Sequence, residues 1–466
     1  MIDTQTVSAQ IANHLATTRF DDLDDAAIEA TKKSLLDALA VSLGATETEA
    51  PVRPFLNLAR ESWGQGNCEI LGHPGVYSPE WAAFGNGALA HALDYEDAFD
   101  AAPMHPNAAV IPALLAMSQS EGSVSGKQFL TAMALGCDLA CRLGLCLLTP
   151  AEAGGWYPPP MFTGFGAIAA AGKISKFEPR QYLDAFSFGL NQITCSGEIK
   201  YNPDSAIRAV RDAFPAKSAV LSARLAKSGM KGFDQPFEGK NGFFRLYANG
   251  DFSEEILLDG LGRNFKGSEI SFKPWPSCRG THAFIEAAIE LRNQIPDLYE
   301  IDKLTLTGGP ILEMLAYPLD MKRAPVVAID AKFSIFYTTA LALTRGHVTL
   351  NDFRPEDLSD PDILRLTAIS DYVNDGSKDP KDASSGALDI QLKDSTRLQA
   401  VITEPRGSVS NPMSREDLTA KAIECTARAR RPLSEAATRR LADTIWSLEA
   451  EEDAVESLFS IIRPVN

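Results

Sequence analysis

From residue 81 to about residue 235 the chain is a nearly unbroken series of helical segments built on alanine and glycine. WAAFGNGALAHAL (81–93), NAAVIPALLAMSQS (107–120), GKQFLTAMALGCDLACRLG (126–144), TGFGAIAAAGKIS (163–175), PRQYLDAFSFGLNQI (179–193) and FPAKSAVLSARLAKSG (214–229) follow one another. Small residues at i, i+3 and i+4 let helices bury surface by bringing their backbones close together. The pattern predicts one large all-helical domain. Residues 5–45 add two amphipathic helices, the second with Asp24 or Asp25 as its cap and Gly44 as its stop. Residues 46–80 read as loops around short helices.

A chain of 466 residues exceeds what one core organises. Composition changes after about Phe265, where the β-like runs KLTLTGG (303–309), LDIQLKD (388–394) and RLQAVITEP (397–405) appear around two further helices. The expected fold is mainly α: a large helical domain (1–265 and 406–466) and a smaller α+β domain (266–405). The amphipathic tail is expected to return to the helical domain.

Net charge is −17 and no basic stripe occurs, which argues against nucleic acid as a partner. No apolar run reaches the roughly 18 residues of a membrane span. MIDTQTVSAQIANHLATTRF lacks the basic start and apolar centre of a secretion signal, so a cytoplasmic location is expected. The seven cysteines are scattered and read as free thiols. Cys137, Cys141 and Cys146 lie in an apolar helix and read as buried packing residues, so no metal is expected.

Four stretches concentrate polar chemistry. GNGALAHALDYEDAFDAAPMHPNAAVIP (85–112) places His91, Asp94, Glu96, Asp97, Asp100 and His105 within fifteen residues at a helix-loop-helix junction, with Asn107 as a candidate cap. Such crowding tunes pKa values for proton transfer, although a solvated acidic loop is an equal reading of this stretch alone. In GGWYPPPMFTGFGAIAAAGK (154–173) the prolines fix the direction of Tyr157. The GFGA there lacks both G-x-G-x-x-G spacing and a preceding strand, against a nucleotide site.

EIKYNPDSAIRAVRDAFPAKSA (198–219) sets Arg208 and Arg211 on one predicted helix face. With Lys200 and Lys217 they suit a carboxylate ligand; a solvated face paired to Asp204 and Asp212 is the alternative. FKPWPSCRGTHAFIEAA (272–288) gathers Lys273, Cys278, Arg279 and His282 at a rigid Pro-Trp-Pro turn. It reads as a functional site, with a Cys/His pair as one form, or as a capped helix start with Cys278 buried.

Taken in order, SLLDALAVSLGA, NGALAHALDYED…HPNAAVIPALLA, GKQFLTAMALGCDLACRLG, GFGAIAAAGK, FEGKNGF, FKPWPSCRGTH and KFSIFYTTALALTRG resemble the MmgE/PrpD family over nearly the whole chain. That family includes 2-methylcitrate dehydratase, cis-aconitate decarboxylase and iminodisuccinate epimerase. The resemblance implies that the smaller domain is a lid, that the protein is a homodimer, and that neither metal nor organic cofactor is needed. It also implies an interdomain site that moves a proton next to a carboxylate of a di- or tricarboxylic acid.

Carried over by motif, Asp94, His105 and Lys273 are catalytic positions, and Cys278 stands where the decarboxylases have histidine. His282 belongs to the C-x-x-x-H pattern. Three positions depart from the family: Tyr157 replaces the histidine of G-(WF)-H-x-T, Arg211 the lysine of K-x-x-H-P-G, and Ala98 a frequent threonine. Arginine clamps carboxylates but does not give up its proton, and a phenol donates but does not serve as a base near neutrality. The expected machinery is therefore Asp94, His105, Tyr157 and Lys273, with Arg211, Arg208, Cys278, Arg279 and His282 binding substrate. The expected activity is a hydro-lyase, followed by an epimerase, a decarboxylase and a non-catalytic binding protein.

Overall fold

The structure, a computed structural model, describes residues 5–47, 49–62, 64–102, 104–201, 206–379 and 382–463. The fold is mainly α, with one small mixed sheet, and it divides into two compact units, residues 1–270 with 414–466 and residues 271–413.

The larger unit is helical. It runs α1 (Val7–Thr17), α2 (Asp25–Ala45), α3 (Glu49–Arg60), α4 (Pro79–Ala90), α5 (Asn107–Glu121) and α6 (Gly126–Leu145). It continues with α7 (Pro159–Ile174), α8 (Pro179–Leu190), α9 (Ile207–Val210), α10 (Ala213–Lys227), α11 (Phe243–Ala248) and α12 (Glu254–Leu258). Prolines open α4, α7 and α8, where the first turn has no use for their missing N–H.

Glycines set the close approaches. A Cβ on Gly136 of α6 would lie 2.7 Å from the Gly166 carbonyl of α7, and one on Gly166 would lie 2.3 Å from the Gly136 carbonyl. Likewise a Cβ on Gly87 of α4 would lie 2.7 Å from Ala213 Cα at the start of α10. Asp24 caps α2 by accepting from Ala27 N at 2.7 Å. Gly44 does not stop that helix, which runs on to Ala45; its missing side chain instead admits the Cys425 carbonyl, 2.9 Å from where a Cβ would sit.

In the smaller unit α13 (His282–Arg292) precedes β1 (Ile301–Gly308), α14 (Leu319–Arg323), α15 (Ala328–Lys332), α16 (Ile335–Arg345) and α17 (Pro361–Ala368). There follow β2 (Ser370–Asn374), β3 (Gly386–Leu392) and β4 (Arg397–Ile402). The sheet order is β2-β1-β3-β4, with β1 parallel to β2 and the other pairs antiparallel. Leu304 and Leu306 of β1 and Leu388 and Ile390 of β3 alternate onto one face, where they join Phe284 of α13 and Leu341 of α16 in a buried core. The sequence patterns missed β2. It is a short edge strand, SDYVN, in which only Ser370 is buried, so it lacks the apolar alternation that marks its neighbours.

The tail supplies α18 (Arg415–Ala427), α19 (Glu435–Trp446) and α20 (Ala454–Ile462) to the larger unit. Lys32 of α2 ties it down by donating to Trp446 O at 2.8 Å and pairing with Glu449 at 2.6 Å. Among the described residues no helix is long and apolar enough to cross a membrane. All seven cysteines are free thiols; Cys137, Cys141 and Cys146 are buried, and burial pushes the Cys146 thiol up to about 12.

Candidate active site

Close packing of α4 through Gly87 decides where the acidic stretch goes. The helix ends at Ala90, and His91 forms its C-cap. Asp94 then adopts a left-handed backbone with φ of 51°, a conformation that aspartate tolerates better than most residues but that still costs energy. This reversal turns Asp94, Glu96 and Asp97 inward, each at 2% exposure or less. Phe99 N donates to Met104 O at 3.0 Å and closes the following loop, which returns His105 to the same carboxylates.

Both imidazoles are oriented by their Nδ1 atoms. His105 Nδ1 lies 2.7 Å from the Asp97 backbone carbonyl and 3.3 Å from Glu96 Oε1. His91 Nδ1 is hydrogen-bonded to the same Glu96 oxygen. A carbonyl can only accept, so in the neutral His105 ring the proton sits on Nδ1 and the lone pair on Nε2. The Nε2 atoms of His91 and His105 each lie 3.9 Å from Asp94 Oδ1. The two rings are 4.8 Å apart. His105 has an 18% exposed side chain against 2% for His91, so His105 is the member open to a ligand.

Asn107 does not cap α5. It occupies the first helical position, and its Nδ2 donates to Asp97 Oδ2 at 2.5 Å, because Pro106 takes the cap position. Asp97 Oδ1 is buried without a hydrogen-bond partner among the described residues. Burial pushes the Asp97 carboxyl up to about 8, against the opposing pull of the Asn107 bond, so it stays protonated near neutrality.

Arg208 and Arg211 do not share a helix. Pro215 has no N–H for the Arg211 carbonyl and its ring would clash there, so the helix breaks between α9 and α10. Arg211 falls in the break and is 3% exposed, whereas Arg208 is only partly buried. Arg211 Nη1 donates to Arg208 O at 2.9 Å, and its Nε faces Asp212 Oδ2 at 3.6 Å. Its guanidinium lies 5.3 Å from the centre of the Tyr157 ring, as does the Lys200 ammonium. Burial alone would weaken the charge on Arg211, but Tyr157, Asp212, Glu96 and Asp94 together raise its pKa.

Tyr157 is held by its own backbone, donating to Cys195 O at 2.9 Å. Lys217 leaves this group and stacks 3.7 Å over the Trp81 ring. Asp204 lies outside the described residues.

In the smaller unit the 272–288 stretch forms its own group. Lys273 is 1% exposed and Cys278 partly exposed. Arg279 Nη2 donates to Ser408 Oγ at 2.5 Å and Nη1 to Arg406 O at 3.0 Å, which fastens the 405–408 turn. His282 is fully buried, with Nδ1 3.2 Å from Arg279 Nη1, Nε2 3.4 Å from Ser277 O, and Trp275 edge-on at 5.3 Å. Arginine has no acceptor, so His282 Nδ1 accepts and the ring proton is on Nε2.

The structure thus brings Asp94 and His105 together, and Arg211 with Tyr157. The sequence reading left out His91, Glu96, Asp97 and Asn107 as site residues. Their only sequence signal was proximity to Asp94 and His105, which cannot say which carboxylate meets which ring. His91, Asp94, Glu96 and His105 also offer one ligand atom each within 4.8 Å of one another, a donor set that suits a borderline divalent cation.

Comparison with known proteins identifies the family. The model of the MmgE/PrpD N-terminal domain matches residues 9–255, and that of the C-terminal domain matches residues 275–448. Cis-aconitate decarboxylase-like protein oryM of Aspergillus oryzae is 24% identical over 97% of this chain and 96% of its own length. Cis-aconitate decarboxylase of Aspergillus terreus is 23% identical over 89% of this chain and 88% of its own. The Homo sapiens cis-aconitate decarboxylase is 24% identical over 92% of this chain and 89% of its own.

Proposed function

The chain belongs to the MmgE/PrpD family, and we propose that it is a lyase that moves a proton next to a carboxylate of a small di- or tricarboxylic acid, as a hydro-lyase. The orientation of His105 carries this reading. Its Nε2 lone pair is the accepting site, and its Nδ1–H stays bonded to the Asp97 carbonyl while the ring becomes cationic. Asp94 then faces a positive ring at 3.9 Å and favours it by charge.

Abstraction of the α-proton leaves enolate-like charge on the carboxylate, which a buried, permanently charged Arg211 would stabilise. The C–O bond at the neighbouring carbon breaks, and the departing hydroxyl takes the Tyr157 proton to leave as water. The resulting phenolate lies against the charges of Arg211 and Lys200. Lys273 and Cys278 keep the roles their motifs imply. His282, fully buried with both ring nitrogens engaged, and Arg279, bonded to the 405–408 turn, brace the 272–288 group rather than bind substrate. Arg208 acts through its carbonyl bond to Arg211. A homodimer in the cytoplasm that works without a metal or organic cofactor completes the reading, so the four-donor cluster is taken as proton-transfer machinery.

A second reading, decarboxylation, is favoured by the names of the relatives. It is disfavoured by Cys278, which stands where the decarboxylases have histidine, and by Tyr157 and Arg211, which replace a histidine and a lysine of the family pattern. Proton NMR in D2O with citrate-, malate-, aconitate- and aspartate-like acids separates the two. A vinyl signal gained, or lost by hydration, supports the hydro-lyase, whereas loss of carbon dioxide makes the protein a decarboxylase. Exchange of an α-proton without loss of water makes it an epimerase, and binding without change makes it a binding protein.

A further inference from the structure

Behind the proton-transfer site lies a buried ion pair that the mechanism above does not use. Lys421 on α18 pairs with Asp37 on α2, Nζ to Oδ1 at 2.6 Å, with side-chain exposures of 3% and 0%. The same Nζ donates to the backbone carbonyl of Tyr95 at 2.7 Å and sits 3.9 Å over the Tyr95 ring. Tyr95 is the residue between Asp94 and Glu96. Gly44 and Cys425, each further along the same two helices, mark where α2 and α18 touch backbone to backbone, so the pair is pinned between rigid elements.

Burying two charges gains little stability, since an apolar pair of similar volume commonly does as well or better. Holding the Tyr95 carbonyl is different. The left-handed Asp94 just before it is strained, and Glu96 just after it orients both imidazoles through one oxygen. A strained turn persists only where its surroundings hold it.

We infer that Lys421, anchored by Asp37, is a positioning residue: its bond to the Tyr95 carbonyl holds the Asp94–Glu96 turn in the geometry that orients His91 and His105. That these histidines transfer protons rests on the function proposed above; that the pair sets their orientation does not.

The test uses the full chain labelled with [15N]histidine, with the His91 and His105 signals assigned from His91→Gln and His105→Gln. In Asp37→Leu/Lys421→Met, which removes both charges together, the imidazole signals of His91 and His105 move while the thermal midpoint holds or rises. On any acid the protein turns over, kcat falls about 10- to 100-fold with little change in KM, as expected of catalytic groups misplaced by about an ångström. Lys421→Met alone removes the donor to the Tyr95 carbonyl, leaves Asp37 a carboxyl that can take up a proton in its buried site, and moves the same signals, so the inference does not hang on one variant folding. Folded variants with unmoved imidazole signals and unchanged kcat overturn it. If no acid is turned over by the wild type, the imidazole signals alone decide.

Discussion

His105 Nε2 stands 3.9 Å from Asp94 Oδ1, beyond hydrogen-bond reach. Asp94 therefore acts on the ring as a charge, while the tether that aims the ring is on its other side, at the Asp97 carbonyl. Orientation and charge stabilisation are supplied by different residues, so substitutions should separate them.

Asp94→Asn is the cleanest separation. Asparagine accepts the left-handed backbone at φ 51°, so the turn and the thermal midpoint should be kept. Only the charge goes, and kcat should fall about 10²-fold or more, as for loss of support to a general base. Asp94→Ala should lose the same activity and also about 1–2 kcal/mol of stability from backbone strain. Steady-state kinetics with thermal unfolding checks both.

Arg211 and Tyr157 predict opposite kinetic signatures. Arg211→Lys keeps a charge but loses the planar head stacked on Tyr157, so KM for the acid should rise about tenfold. Tyr157→Phe keeps the ring beneath Arg211 and removes the proton, so kcat should fall with KM nearly unchanged. A Tyr157→Phe enzyme with full kcat would remove Tyr157 from the acid role.

Asp97 should leave a mark on stability against pH. Unfolded, its carboxyl loses its proton near pH 4; folded, it keeps that proton up to about 8. Between those values the folded state holds the extra proton, so each rise in pH weakens folding, by at most about 1.4 kcal/mol per unit. The penalty is absent below pH 4 and constant above 8. Asp97→Asn should flatten this slope in urea titrations run from pH 5 to 8.

The His91, Asp94, Glu96 and His105 donors should make the enzyme sensitive to zinc. Micromolar zinc is expected to inhibit by claiming the His105 Nε2 lone pair that the proposed reaction uses as proton acceptor, and a chelator should restore activity. Prolonged dialysis against the chelator should leave the untreated enzyme fully active. Activity that disappears on dialysis and returns with a divalent ion would instead make the cluster a working metal site.

Much of this architecture was written locally. Periods of three and four small residues set the helices of the larger unit, because a helix presents those positions on one face whatever surrounds it. Apolar alternation marked β1, β3 and β4 for the same kind of reason, while β2 has too little buried surface to signal itself. The motif stretches pointed to Asp94 and His105, and Pro215 was legible as a helix breaker, although the sequence reading ran a helix through Arg208 and Arg211. Partner choice is what the chain order could not supply. Asn107 gave up capping for Asp97, Glu96 reached two rings, and Lys421 found the Tyr95 carbonyl from 326 residues away. Those choices depend on which helices press together, and a buried polar atom bonds to whatever the packed chain brings within reach.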